Sequence, residues 1–271
     1  MAITHRAAVL GSPIEHSLSP VLHNAGFEAA GLQGWEYTRM LCTADELPGL
    51  VRGADPSFRG FSVTMPCKFA ALEFADEVTD RAREIGSANT LTRIDDTRWR
   101  ADNTDCEGVI AALSELLGQT TPRCAVVVGA GGTARAVMWA LRSVGCTDVT
   151  LVNRSDRSAE YADLSRGMNL RFVGFDAGLA DLTSAADVVV STVPASAADQ
   201  YAAELAHAPV FDVIYEPWPS AIATHAAANG YPTVGGLSML AGQAYAQFEQ
   251  FTGVDAPRDA MHHALLEHRR A

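Results

Sequence analysis

The 271-residue sequence is almost devoid of lysine: of its 20 basic residues, one is Lys68 and the other 19 are arginines. It is short of positive charge as a whole, since 32 acidic residues give a formal net charge of −12. That balance excludes bulk nucleic-acid binding, which needs a basic face to neutralise phosphates. Cysteine is sparse. Cys42, Cys67, Cys106, Cys124 and Cys146 form an odd, scattered set with no CxxC pair. This argues against a disulfide framework or a zinc site and suits reduced thiols in a cytoplasmic protein. His262, His263 and His268 lack HExxH spacing and read as the polar side of a last helix, so no metal is expected. No apolar run approaches the ~18 residues of a membrane span, and no membrane partner is expected. The opening MAITHRAAVLG reads as a strand, without the charged-then-apolar layout of an export signal.

What remains is the composition of a globular protein, 48% hydrophobic and 19% charged, at a length that favours two domains. Strand-like and helix-like patches alternate, which predicts an α/β fold with largely parallel sheets. Strands are expected near 6–11, 35–41, 58–64, 88–94 and 98–102, with helices beginning near Ser19, Thr43, Pro66 and Val78. A helix over 105–117 follows, and the alternation then restarts: strands at 124–128, 148–152, 171–175, 187–191 and 210–214, helices at 133–144, 157–165, 197–206 and 219–229. Two helices, 237–251 and 257–269, close the chain. The expected domains are 1–104, completed by 237–271, and 105–236.

The run CAVVVGAGGTARAVMWAL sets a buried-type strand before a glycine loop, Gly129, Ala130, Gly131, Gly132, Thr133 and Ala134, and a helix after it. This fits G-x-G-x-x-(G/A): Gly129 for the tight turn, Gly131 for close approach of a pyrophosphate, Ala134 for close helix packing, and the helix N-terminus for the phosphates. A glycine loop alone is weak evidence, and the strand-loop-helix context strengthens it. The next strand ends in Asn153-Arg154-Ser155-Asp156-Arg157 where an NAD site usually carries an acid. The guanidinium groups of Arg154 and Arg157 suit the 2′-phosphate of NADP, while Asp156 could in principle serve NAD.

Six further fragments occur in order: GSPIEHSLSPVLHN (11–24), SVTMPCK (62–68), GSANTL (86–91), DNTDCEG (102–108), DVIYEP (212–217) and GLSMLAGQ (236–243). Together with the cofactor loop this combination resembles the shikimate dehydrogenase family over nearly the whole chain. The resemblance implies an N-terminal substrate-binding domain and a Rossmann-like NADP-binding domain, with the C-terminal helices packing back on the first. It implies a cytoplasmic oxidoreductase of the shikimate pathway, and so of aromatic amino-acid biosynthesis, interconverting 3-dehydroshikimate and shikimate. It is compatible with a homodimer. Lys68 and Asp105 match the catalytic pair. Ser17 and Ser19 match the hydroxyls that bind the substrate carboxylate, and Thr64, Asn89 and Gln243 match residues binding its ring hydroxyls. Tyr215 and Met239 match positions lining the substrate and nicotinamide region; Thr192 and Gly236 fall in the family's nicotinamide-side motifs.

Each position has a plainer reading. Ser17 or Ser19 could cap the helix entered at Pro20, Thr64 and Asn89 could be turn residues, Gln243 a solvated helix position, and Tyr215 and Met239 core. Three departures stand out: Ser62 where many relatives have Asn, Cys106 where Gly usually follows the aspartate, and Thr192-Val193-Pro194-Ala195-Ser196 without the family's glycine. The other readings are an NAD-dependent quinate/shikimate dehydrogenase and a non-catalytic metabolite sensor on the same scaffold. Lysine, unlike arginine, is a cation that can release its proton, so the one lysine marks a candidate proton-transfer position.

Overall fold

The structure, a computed structural model, describes residues 2–270. The chain forms two compact units: one comprises the residues up to Thr104 together with those from Leu240 onward, the other runs from Asp105 to Met239. In the first, the chain order is β1 (His5–Gly11), α1 (Ser19–Ala29), β2 (Trp35–Leu41), α2 (Leu47–Arg52), β3 (Phe58–Val63), α3 (Lys68–Phe74), β4 (Glu77–Val78), α4 (Asp80–Ile85), β5 (Thr90–Arg93) and β6 (Trp99–Asp102). They build a six-stranded sheet in the order β2-β1-β3-β5-β6-β4.

This sheet is mixed rather than largely parallel. β1 runs parallel to β2 and β3, but β5 is antiparallel to both β3 and β6. For the β5–β6 pair the reason is local: the Asp95 carboxylate accepts the N–H groups of Thr97 and Arg98, closing a tight turn after β5. Strands joined by so short a turn can pair only antiparallel.

The second unit contains α5 (Asp105–Leu117), β7 (Cys124–Val128), α6 (Gly132–Ser143), β8 (Asp148–Val152), β9 (Asn169–Val173), α7 (Leu179–Ser184), β10 (Val188–Ser191), α8 (Ala195–Ala198), α9 (Ala202–Leu205), β11 (Val210–Asp212), α10 (Ala221–Ala228) and β12 (Thr233–Val234). Its six strands are all parallel, in the order β12-β11-β10-β7-β8-β9, with β7 central and apolar on both faces. The helix expected at 157–165 reduces to a 3₁₀ turn, Ser158–Tyr161. Asp156 accepts the Ser158 N–H, a local side-chain bond that competes with helix propagation. The expected helix at 197–206 is likewise broken into α8, a 3₁₀ turn over Asp199–Tyr201, and α9.

The chain returns through α11 (Gly236–Thr252) and ends in α12 (Arg258–Arg270). The units part at 239/240, inside the continuous helix α11. Its later half and α12 pack back on the first unit. Phe248 and Phe251 meet the rings of His23 and Phe27 on α1, and Gly60 on β3 admits the Phe251 ring where a Cβ would overlap it. The opposite face of the same sheet buries Phe61, Leu91, Trp99, Leu47 and Val51. No helix among the described residues is long and apolar enough to cross a membrane.

Candidate active site

Sheet topology gathers the candidate residues of the first unit at one edge. β1 and β3 are parallel neighbours, so the segments leaving their carboxyl ends, 12–18 and 64–67, emerge side by side; Ser12 N–H donates to the Met65 carbonyl at 3.0 Å. The antiparallel β5 begins at the same edge, where Val63 N–H donates to the Asn89 carbonyl at 2.7 Å, and β6 ends there. The carboxyl ends of parallel strands are where open α/β sheets bind ligands. Ser17 and Ser19 lie after β1, with the Ser17 hydroxyl donating to that of Ser19 at 3.3 Å. Helix α1 starts at Ser19 with Leu18 at the N-cap, which makes no side-chain cap bond. Thr64 follows β3, and Lys68 opens α3, half-buried, its carbonyl accepting the Ala88 N–H at 2.9 Å.

Asn89 is buried at the centre of a polar cluster. Its amide nitrogen donates to Gln243 Oε1 at 3.1 Å and Thr104 Oγ1 at 3.0 Å, while its oxygen accepts the Thr104 N–H at 2.8 Å and the Thr90 hydroxyl at 2.8 Å. Gln243 is buried on α11, not solvated. The structure therefore brings Ser17, Ser19, Thr64, Lys68, Asn89 and Gln243 to one sheet edge.

Asp105, Tyr215 and Met239 belong to the second unit. Asp105 is buried at the start of α5, followed by Cys106, which is accommodated with no exposure. Met239 covers Gly108 so closely that a Cβ there would overlap the Met239 main chain. Tyr215 sits in the β11–α10 connection, which Asp212 shapes by accepting from the Ser220 hydroxyl at 2.6 Å and the Ile214 N–H at 3.2 Å. Burial pushes the Asp212 carboxyl up, against those hydrogen bonds. Gly236 passes so close to the Val213 carbonyl that no side chain would fit.

The glycine loop emerges from the central strand β7. Gly129 has φ +103°, a left-handed conformation, and its α-carbon faces the Thr192 hydroxyl and Val193. Thr192 pins the loop by donating from both its N–H (2.9 Å) and its hydroxyl (2.8 Å) to the Val128 carbonyl. A Cβ added at Gly131 would meet nothing within 4 Å, so the N-terminus of α6, from Gly132 through Thr133 to the buried Ala134, lies open to an approaching anion. A dinucleotide pyrophosphate fits this open, donor-bearing loop. Ala130 is nearly buried. Arg154 is exposed, and the Asn153 amide donates to the Ser155 carbonyl. Arg157 folds back on the loop instead: its guanidinium is bidentate to Glu160, both at 2.7 Å, and donates to the Ala130 carbonyl at 3.1 Å.

Asp102 and its partners support the site from behind. Asp102, inside DNTD, accepts from Thr79 at 2.6 Å, Arg81 at 2.7 Å, Gln250 at 2.7 Å and the Asn103 N–H at 2.8 Å. Burial would raise its pKa, but the hydrogen bonds from Arg81 and Thr79 and the Arg81 charge hold it below the usual carboxylate range. The only signal for it is its place in the DNTD motif; its partners Arg81 and Gln250, 21 and 148 positions away, belong to no motif. Among the described residues no group of His, Cys, Asp or Glu could hold a metal ion.

Three family models cover most of the chain: the shikimate dehydrogenase substrate binding domain over residues 9–91, shikimate/quinate 5-dehydrogenase over 112–207, and the shikimate 5'-dehydrogenase C-terminal domain over 236–266. A curated NADP(+) shikimate dehydrogenase from Synechocystis is 33% identical, with 98% of this chain and 96% of the relative covered. The crystal structure of Mycobacterium tuberculosis shikimate dehydrogenase superposes with TM-score 0.90 at 49% identity, covering 97% of this chain and 99% of that one. The Thermus thermophilus shikimate 5-dehydrogenase, solved with NADP(H) and shikimate, superposes with TM-score 0.82 at 30% identity over 97% of this chain and 99% of that one.

Proposed function

The chain belongs to the shikimate dehydrogenase family, and from that premise we propose that it catalyses the reversible, NADPH-dependent reduction of 3-dehydroshikimate to shikimate in aromatic amino-acid biosynthesis. The observation that carries the reading is the company of Lys68: the sequence's one titratable aliphatic cation shares a sheet edge with two serine hydroxyls and the Asn89–Gln243 amide pair. Such neutral donors and acceptors suit a small carboxylate bearing several hydroxyls.

NADPH, when bound, supplies a hydride to the ketone carbon. Negative charge then grows on the carbonyl oxygen, and the Lys68 ammonium stabilises it and delivers its proton to that oxygen. In the oxidative direction the neutral amine takes the hydroxyl proton back. Asp105 is its carboxylate partner on the family pattern. Ser17 and Ser19 donate to the substrate carboxylate; uncharged donors keep a second cation away from Lys68. Thr64, Asn89 and Gln243 orient the ring hydroxyls, and Tyr215 and Met239 line the region where hydride is exchanged, with Thr192 and Gly236 shaping its cofactor side. The loop Gly129–Ala134 holds the pyrophosphate, while Asn153 and Arg154, backed by Arg157, receive the adenosine end with its 2′-phosphate. Five free cysteines suit a cytoplasmic location, and a homodimer is the assembly that sedimentation velocity would test.

The deciding experiment is an absorbance assay of shikimate oxidation with NADP, run beside NAD and quinate controls. Turnover that strongly prefers shikimate with NADP is expected. Preference for quinate with NAD would shift the assignment, and ligand binding without turnover would make the protein a sensor.

A further inference from the structure

Asp212 ends β11 with 1% of its surface exposed, and no reaction step uses it. One carboxylate oxygen accepts the Ser220 hydroxyl at 2.6 Å and the other the Ile214 N–H at 3.2 Å, so both face neutral donors. Among the described residues it forms no ion pair, and Asp199, the charge felt most strongly, is of the same sign. Ser220 also caps α10, its hydroxyl oxygen accepting the Ala223 N–H, so the helix N-terminus lends a fraction of a positive charge. That offsets only part of the penalty. A buried carboxylate without a full counter-charge costs stability that an apolar residue of similar size would not.

Topology puts this charge among the residues assigned to the nicotinamide. β11 lies beside β10, with Asp212 in register with Ser191, the residue before Thr192. Val213 N–H donates to the Ser191 carbonyl at 3.0 Å, and the Ile214 carbonyl accepts the Gly236 N–H at 3.0 Å. Asp212 therefore stands where the segments carrying Thr192, Tyr215 and Gly236 are joined. The glycine loop leaves β7, beyond β10, so about 10 Å of sheet separates the strand that leads to the pyrophosphate from the one that carries Asp212.

Hydride transfer changes the cofactor's charge at one place. Loss of hydride makes the nicotinamide ring a cation, while the adenosine and phosphate groups keep their charges. We propose that Asp212 is the buried counter-charge of that ring: its carboxylate favours bound NADP in the oxidised form over the reduced form, and so sets how readily the bound cofactor gives up hydride. The attraction acts where little solvent screens it, so it exceeds what the same charges would feel in water. An arginine paired with Asp212 would cancel the field, and neutral donors hold the carboxylate without doing so. The inference rests on the assignment of Thr192, Tyr215 and Gly236 to the nicotinamide side of the site.

Asp212→Asn keeps the shape, an oxygen for the Ile214 N–H and a polar group for Ser220, and removes the charge. Calorimetric titration with oxidised NADP and fluorescence titration with NADPH, with 2′,5′-ADP as a probe of the adenosine half and melting temperatures alongside, read the effect without turnover. The expected result is a rise of about tenfold in the Kd for oxidised NADP, with the Kd values for NADPH and 2′,5′-ADP within about twofold. A residue that only shapes the Val213–Tyr215 turn would weaken both cofactor forms alike. Equal losses for the two forms, or an unchanged ratio of their Kd values, overturns the inference. Should Asp212→Asn fail to fold, Asp212→Ser retains a small acceptor for the Ile214 N–H; the same selective loss of oxidised NADP is expected, and its absence overturns the proposal. A wild type that binds neither oxidised NADP nor NADPH would refute the dinucleotide site itself, an outcome distinct from either variant result.

Discussion

Lys68→Arg separates charge from proton transfer. Arginine keeps the cation but cannot release its proton, so kcat should fall by about 10² or more while the KM for NADP stays within about twofold; a variant of near-normal kcat would remove Lys68 from the general-acid role. At the other end of the reaction, Arg154→Ala should weaken NADPH far more than NADH in parallel titrations, and equal losses would refute the 2′-phosphate assignment. Lys68 could be read from the sequence because a single lysine among 20 basic residues is conspicuous in composition alone. The hydrogen bonds that join Tyr37, Ser62 and Gln247 could not. Nothing local distinguishes a tyrosine in a strand or a glutamine in a helix, and the Ser62–Gln247 bond joins residues 185 positions apart.

Elements carry the site through their ends. Asp102 ends β6, and five hydrogen bonds from Thr79, Arg81, Asn103 and Gln250 converge on it where the chain turns toward Asp105. Its folded pKa lies below the unfolded one, so its stabilisation is present above the usual carboxylate range and is lost as pH falls through the lowered value. Asp102→Asn should therefore melt several degrees lower than the wild type at pH 7, with the gap narrowing on acidification; a gap that does not change with pH would assign the loss to packing. Gly129→Ala forces a side chain into left-handed backbone against Thr192 and Val193. It should weaken NADP binding by about tenfold or more in a fluorescence titration, since the loop must open to admit the Cβ. The glycine loop was legible because strand, loop and helix lie consecutively in sequence. The antiparallel β5–β6 pair was not: an apolar pattern gives the existence of a strand but not the direction of its neighbour.

Across the whole molecule, stability should depend on His23. It is fully buried among Tyr37, Phe27, Phe248 and Phe251, and among the described residues neither ring nitrogen has a partner in good hydrogen-bond geometry. Burial lowers its pKa from 6.5 to about 3, with Gln247 opposing the shift. The unfolded chain takes up that proton near 6.5 and the folded one does not, so between pH 6.5 and about 3 this group removes about 1.4 kcal/mol of stability per pH unit. Denaturant titrations at pH 7 and pH 5 should show that loss, and His23→Phe should flatten it; an unchanged slope would show the imidazole to be solvated in the folded state. Sequence by itself determined the α/β alternation, the dinucleotide loop and the family motifs, because each is written in contiguous residues whose spacing follows local backbone geometry. Only the tertiary structure decided the mixed sheet, the folding back of Arg157 onto Glu160 and Ala130, and the buried line from Tyr37 through Ser62 to Gln247. Those depend on which distant groups exclude water together, and burial of that kind is a property of the packed chain rather than of any stretch of it.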